Sequence, residues 1–136
     1  MSGAARLILF HTQATSGRTR FLRFATGLLA FEGLPAQATL CTAPSPLRLH
    51  PAALLREAEQ RLGLAGGGLE AETGFHAELV AAAGPLPVVL ARFTAIDPPF
   101  AAAATVGAHF VSLTEVRGLP AVEMQLARLA YETILG

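Results

Sequence analysis

Few side chains in this sequence can do chemistry, and their spacing is sparse. The four histidines are His11, His50, His76 and His109. No two of them stand four residues apart, and no His-Glu-x-x-His occurs, so no metal site is expected. Cys41 is the one cysteine. It ends the apolar run Ala38-Thr39-Leu40-Cys41 and reads as a small buried hydrophobe, and a lone cysteine excludes an intramolecular disulfide. All ten basic residues are arginine. The lack of lysine excludes Schiff-base and P-loop lysine chemistry. No serine lies in a Gly-x-Ser-x-Gly elbow.

What remains are weak candidates. His11, at the end of an apolar run, is the best placed for acid or base work. Asp97, the sole aspartate, and Glu115 are the carboxylates that could assist it. Asp97 is equally explained as the cap of a helix opening at Pro98-Pro99. His76 alternates with Glu70, Glu72 and Glu78 and reads as their partner on a wet strand face. No cofactor is implied.

The polar loop His11 to Gly17, followed by Arg18, Arg20 and Arg23, carries the one signal for a ligand. A strand, then a hydroxyl- and glycine-bearing loop, then a helix N-terminus is a general geometry for phosphate or carboxylate. Arginines there are mildly disfavoured by the helix dipole unless solvated or bridged by an anion. Thr12, Ser16, Arg18 and Arg117 are therefore the candidate ligand-binding residues. The plainer reading makes Arg20 and Arg23 the solvated face of the helix.

The elements that must position these groups are legible in outline. Leu7 to Phe10 is a short apolar run, expected as a buried strand. Arg18 to Glu32 is expected as a helix, with Ser16 as N-cap, Gly33 beyond its end and Pro35 as a stop. Gln37 to Thr42 reads as a strand, followed by the loop Ala43 to Pro46. Pro51 to Leu62 is the clearest helix, with Leu54, Leu55, Ala58 and Leu62 on one stripe and Gly63 as terminator. Leu69 to Leu79 alternates with a period of two, and Pro87 to Thr94 follows as a more buried strand; together they suggest a hairpin. A helix from Asp97 to Gly107, a strand from His109 to Thr114 and a helix from Pro120 to Leu135 complete the order β-α-β-α-β-β-α-β-α.

That alternation predicts one α/β domain over 1–136, with a mixed, mostly parallel sheet of about five strands covered by about four helices. Ligands in such sheets bind beyond the carboxyl ends of parallel strands. The rule selects the loops holding His11, Asp97 and Glu115. The order overlaps loosely with thioredoxin-like and flavodoxin-like chains, without any motif of either, and so implies no function.

Composition narrows the classes further. Of 136 residues, 52% are hydrophobic and 15% charged, enough for a packed core. The formal net charge is zero, which gives no field toward nucleic acid or anionic lipid. No apolar run reaches membrane-spanning length and the N-terminal one is too short for a signal peptide, so the cytoplasm is the expected location. In the last helix, Val122, Leu126 and Leu129 are expected to face the sheet. Met124, Tyr131 and Leu135 would then form a second apolar face, suited to self-association as a homodimer. The sequence thus favours a non-catalytic module binding an anionic small molecule or a protein partner. The alternative is a hydrolase or transferase acting on a phosphorylated substrate through His11.

Overall fold

The computed structural model describes residues 5–41 and 50–136. Seven strands form one mixed sheet. β1 (Arg6–Thr12), β2 (Thr19–Arg23), β3 (Thr39–Leu40), β4 (Leu69–Ala71), β5 (Ala77–Ala81), β6 (Gly84–Phe93) and β7 (His109–Val111) are accompanied by α1 (Ala52–Leu62), α2 (Phe100–Thr105) and α3 (Ala121–Leu135). Across the sheet the order is β3-β5-β6-β1-β2-β7, with β4 also on β6. The α/β class holds, but among the described residues only β1 and β6 run parallel, and every other pairing is antiparallel. The sheet is therefore not mostly parallel, and its strands number seven where about five were expected, with three helices where about four were.

One element accounts for most of that difference. Arg18 to Glu32 is no helix: Thr19–Arg23 forms a hairpin with β1, in register Phe10↔Phe21, His11↔Arg20 and Thr12↔Thr19. The turn closes through hydrogen bonds from the Gly17 amide to the Gln13 carbonyl and from the Gln13 amide to the Arg18 carbonyl. Gly17 has φ +68°, a left-handed geometry natural to glycine. Gly27, at φ +127°, lies in a tight turn that a helix could not contain. The apolar doublet Phe21-Leu22 misled because both faces of this sheet are covered, so consecutive residues of a strand can both be buried. It mimics a helical stripe.

Helices cover both faces. On one, α3 packs over Ile8, Phe10, Phe21, Leu79, Val88 and Leu90. On the other, α1 and α2 pack over Leu7, Leu9, Leu22, Ala91 and Phe93. The hairpin expected between residues 69 and 94 is present, interrupted on its first arm. β4 pairs with Ala91–Phe93 and β5 with Gly84–Val88 along the same edge of β6, and residues 72–76 bulge between them. α1 ends at Gly63 in the left-handed region, as its sequence demands. The loop Ala43 to Pro46 and Thr42 lie outside the described residues; of the rest of the expected second strand, Thr39–Leu40 pairs with β5 and the Cys41 amide donates to the Glu78 carbonyl. Cys41 is half-buried.

α3 spans the expected residues but turns a different face inward. Its buried residues are Glu123, Leu126, Ala127 and Ala130. Small side chains let the helix sit close to the sheet, so Val122, Met124, Tyr131 and Ile134 pack against the same core from the flanks. Leu129, assigned above to the sheet, is 38% exposed, and Leu135 is 68% exposed. Among the described residues no helix is long and apolar enough to cross a membrane.

Candidate anion-binding site

The candidate residues gather at the carboxyl ends of the one parallel pair, β1 and β6. Alternation along β1 sends Leu7, Leu9 and His11 to the face covered by α1 and α2. Alternation along β2 sends Arg20 and Leu22 to the same face, and the register sets Arg20 directly beside His11. His11 is wholly buried. Its Nε2–H donates to the Ala95 carbonyl at 2.8 Å, fastening the end of β1 to the chain leaving β6. Nδ1 is buried without a hydrogen-bond partner.

Next to it runs a chain of polar contacts. Arg20 Nη1 donates to Gln13 Oε1 at 3.3 Å, and Gln13 Nε2 donates to Asp97 Oδ1 at 3.1 Å. Asp97 therefore ties the hairpin turn to the β6 exit and does not cap α2, which begins at Phe100 with Pro99 before it and no side-chain cap. The prolines at 98 and 99 displace the helix start beyond the reach of Asp97.

Glu115 approaches from the third loop. It ends a 3-10 turn, Leu113–Glu115, in which Ser112 and Glu115 cap each other. Its Oε1 accepts the Ser112 amide N–H at 2.7 Å. That hydrogen bond, the Ser112 hydroxyl, and then the charges of Arg18 and Arg20 hold its carboxyl below the usual glutamate value. Continuing the β2–β7 register by one pair sets Arg20 opposite Ser112, beside this turn.

The remaining candidates separate. Ser16 caps no helix; its Oγ accepts the Arg18 amide N–H within the turn. Thr12 pairs with the Thr19 hydroxyl at 3.0 Å. Arg117 belongs to the opposite side of β2, where its carbonyl accepts from Arg23 Nη1 at 2.9 Å. His11, Asp97 and Glu115 each bond to a different group, and none bonds to another. His76 is exposed in the bulge between β4 and β5, while Glu70 pairs with Arg92 across the strands at 2.9 Å. With Gly74, Phe75, Leu129, Glu132 and Thr133, His76 lines an open groove of 380 Å³. No group of three or more histidine, cysteine, aspartate or glutamate side chains among the described residues could hold a metal ion.

Two buried carboxylates, Glu59 and Glu123, were not among the candidates the sequence offered. Glu59 accepts the Leu69 amide N–H at 3.1 Å and fixes the entry to β4. Glu123 is wholly buried, and its Oε2 accepts the amides of Leu28 and Leu29 at 3.2 and 3.3 Å. Oε1 has no partner. Burial raises its carboxyl above the usual value, against the downward pull of the two amides and Arg23. A Cβ at residue 27 would collide with this carboxylate, so Gly27 is required both by its backbone and by Glu123. The sequence signal was available: a lone glycine within an apparent helix asks for a close approach.

The fold and this cluster define a mixed α/β protein with its polar convergence at the end of a parallel strand pair. No protein-family model matches the chain, and no curated protein matches its sequence.

Proposed function

We propose that this protein is a non-catalytic binding module that takes an anionic group on Arg18 and Arg20, at the carboxyl end of β1 and β6. The observation that carries the reading is the state of those two arginines. The described ion pairs use Arg61 and Arg92. Arg20 is hydrogen-bonded to a neutral amide, and Arg18 is exposed. Glu115 lies within the reach of their charge but forms no described ion pair with either, and guanidinium groups not clamped by a carboxylate are suited to bidentate recognition of phosphate or carboxylate. The helix N-terminus invoked from sequence plays no part, and the Arg117 backbone lies on the opposite side of β2, where its carbonyl accepts from Arg23.

A binding role is favoured over catalysis by the closure of His11. An acid or base must reach its substrate, and this imidazole is wholly buried and holds a backbone carbonyl. Self-association through α3 has support only at its outward residues, Leu129 and Leu135, since Met124 and Tyr131 pack on their own core.

Calorimetric titration with inorganic phosphate and pyrophosphate at low salt tests the proposal. Binding is expected, and Arg18→Ala and Arg20→Ala should each weaken it about tenfold or more, since a charge-assisted hydrogen bond contributes about 1.5–3 kcal/mol. Absence of binding at about 10 mM of either anion overturns it.

A further inference from the structure

We propose that the cluster around Arg20 takes an aminocarboxylate zwitterion. Its carboxylate lies on Arg18 and Arg20, and its ammonium reaches a flanking carboxylate, Asp97 or Glu115. This deepens the anion-binding reading and rests on it.

The observation is that both signs of charge meet at one end of the sheet without pairing. Arg20 stands beside His11 in the β1–β2 ladder. The hydrogen bond from the Gln13 amide to the Arg18 carbonyl carries that ladder on and sets Arg18 beside Gln13. Alternation keeps His11, Gln13, Arg18 and Arg20 on one face. On one side, Arg20 Nη1 donates to Gln13 Oε1 at 3.3 Å, and Gln13 Nε2 donates to Asp97 Oδ1 at 3.1 Å. A single neutral amide thus separates guanidinium from carboxylate. On the other side, the β2–β7 register continued by one pair sets Arg20 opposite Ser112, whose amide donates to Glu115 Oε1 at 2.7 Å. The arginines are flanked by a carboxylate on each side. Neither arginine closes an ion pair with them: among the described residues the pairs are Arg61 with Glu32 and Arg92 with Glu70.

Charge balance selects the ligand. A bare anion such as phosphate is attracted by the two guanidiniums and repelled by the two carboxylates. A zwitterion meets an opposite charge at both ends, and the carboxylates that oppose phosphate then favour it. Asp97 and Glu115 are exposed, and an ionised carboxylate offers about four acceptor sites. Their internal hydrogen bonds therefore leave each able to receive an ammonium. Glu115 is also kept in its charged form, by the Ser112 amide first, then by the Ser112 hydroxyl and the two arginines.

The test is an NMR titration of the intact protein at low salt, read at its backbone amides. The probes are glycine, β-alanine and their longer ω-amino homologues, whose graded lengths span the distance from the arginines to either carboxylate. The N-acetyl and methyl ester form of each, lacking one charge, are the controls. At least one probe is expected to bind below about 10 mM, and about tenfold more tightly than either of its controls. The double variant Asp97→Asn, Glu115→Gln should weaken that probe about tenfold while phosphate binds as tightly or more so. Both replacements keep an acceptor for the Gln13 and Ser112 donors, so the fold is expected to survive them. Three results overturn the inference: no probe binding at about 10 mM, an N-acetyl form binding as tightly as its free amine, or a double variant that binds the probe unchanged. Phosphate binding that persists in any of these cases leaves the anion reading standing. If neither phosphate nor any probe binds, both readings fall.

Discussion

The two faces of β2 put the same chemistry to opposite uses. Toward α3, Phe21 is buried and Arg23 holds the Arg117 carbonyl, beside the wholly buried Glu123 that receives two backbone amides. Toward α2, Arg20 holds only an amide side chain, beside the wholly buried His11. Both faces carry an arginine and a glutamate. On the first, the carboxylate has been drawn into the fold and serves it. On the second, Glu115 stays at the surface and caps its own turn. A charged cluster therefore reports on function only after its internal obligations are known.

Removing the buried carboxylate should break that contrast most strongly. Glu123→Ala leaves the Leu28 and Leu29 amides buried without an acceptor, and each such orphan costs about 1–3 kcal/mol. A loss of about 2–4 kcal/mol is expected in urea denaturation, with phosphate binding by the folded protein retained. A change below about 0.5 kcal/mol would show that the carboxylate contributes no net support. Next in size is Tyr131→Asp. Because Tyr131 packs against the α3 core, the expected result is destabilisation by about 2 kcal/mol, without a shift in oligomeric state. Sedimentation showing a dimer converted to a stable monomer would instead restore Tyr131 to a subunit interface.

What was legible in the sequence follows from how each segment is covered. α1 and α3 could be found because long periodic segments carry their own signal, and Gly63 ends α1 where its sequence says. The hairpin of β5 and β6 was legible from its period of two. β2 was not, because burial on both faces erases the alternation that identifies a strand. The inward face of α3 was missed for a related reason: Ala127, Ala130 and a glutamate face the core, while Leu129 faces out, the reverse of what hydrophobicity suggests. At the site, the rule about carboxyl ends of parallel strands picks out the loops of His11 and Asp97, which do leave a parallel pair, β1 and β6, although most of the sheet is antiparallel; Gln13, which joins them, carried no signal of its own. Burial of His11 and the link through Gln13 depend on strand register, which no local pattern encodes.

A smaller effect separates the carboxylates by pH. Burial raises the carboxyl of Glu123 in the folded state above the ordinary glutamate value. Its contribution to stability is therefore fully present below that value and is lost as pH rises through the folded value toward neutrality. Glu123→Gln keeps an acceptor for Leu28 and Leu29 but cannot ionise. The stability of this variant relative to the parent should rise as pH increases from acid toward neutrality. Glu115 has the opposite sign, since its value is lowered, and Glu115→Gln should lose relative stability as pH rises above its own titration. Parallel denaturation curves for Glu123→Gln and parent at pH 5 and 8 would mean that Glu123 ionises without penalty.

The smallest expected effect on stability is also the sharpest test of the difference between the two faces. Arg20→Ala removes one long hydrogen bond to the Gln13 side chain and no ion pair, so the protein should lose less than about 0.5 kcal/mol. Arg23→Ala frees the Arg117 carbonyl and takes a positive charge from beside the buried Glu123, so it should cost more, about 1 kcal/mol. Phosphate titration should rank the two variants in reverse: Arg20→Ala loses the anion, and Arg23→Ala retains it. If Arg23→Ala alone abolished binding, the anion would belong to the α3 side of β2, with Arg117 as its second arginine. If both variants bound phosphate as the parent does, neither face of this strand would recognise anions.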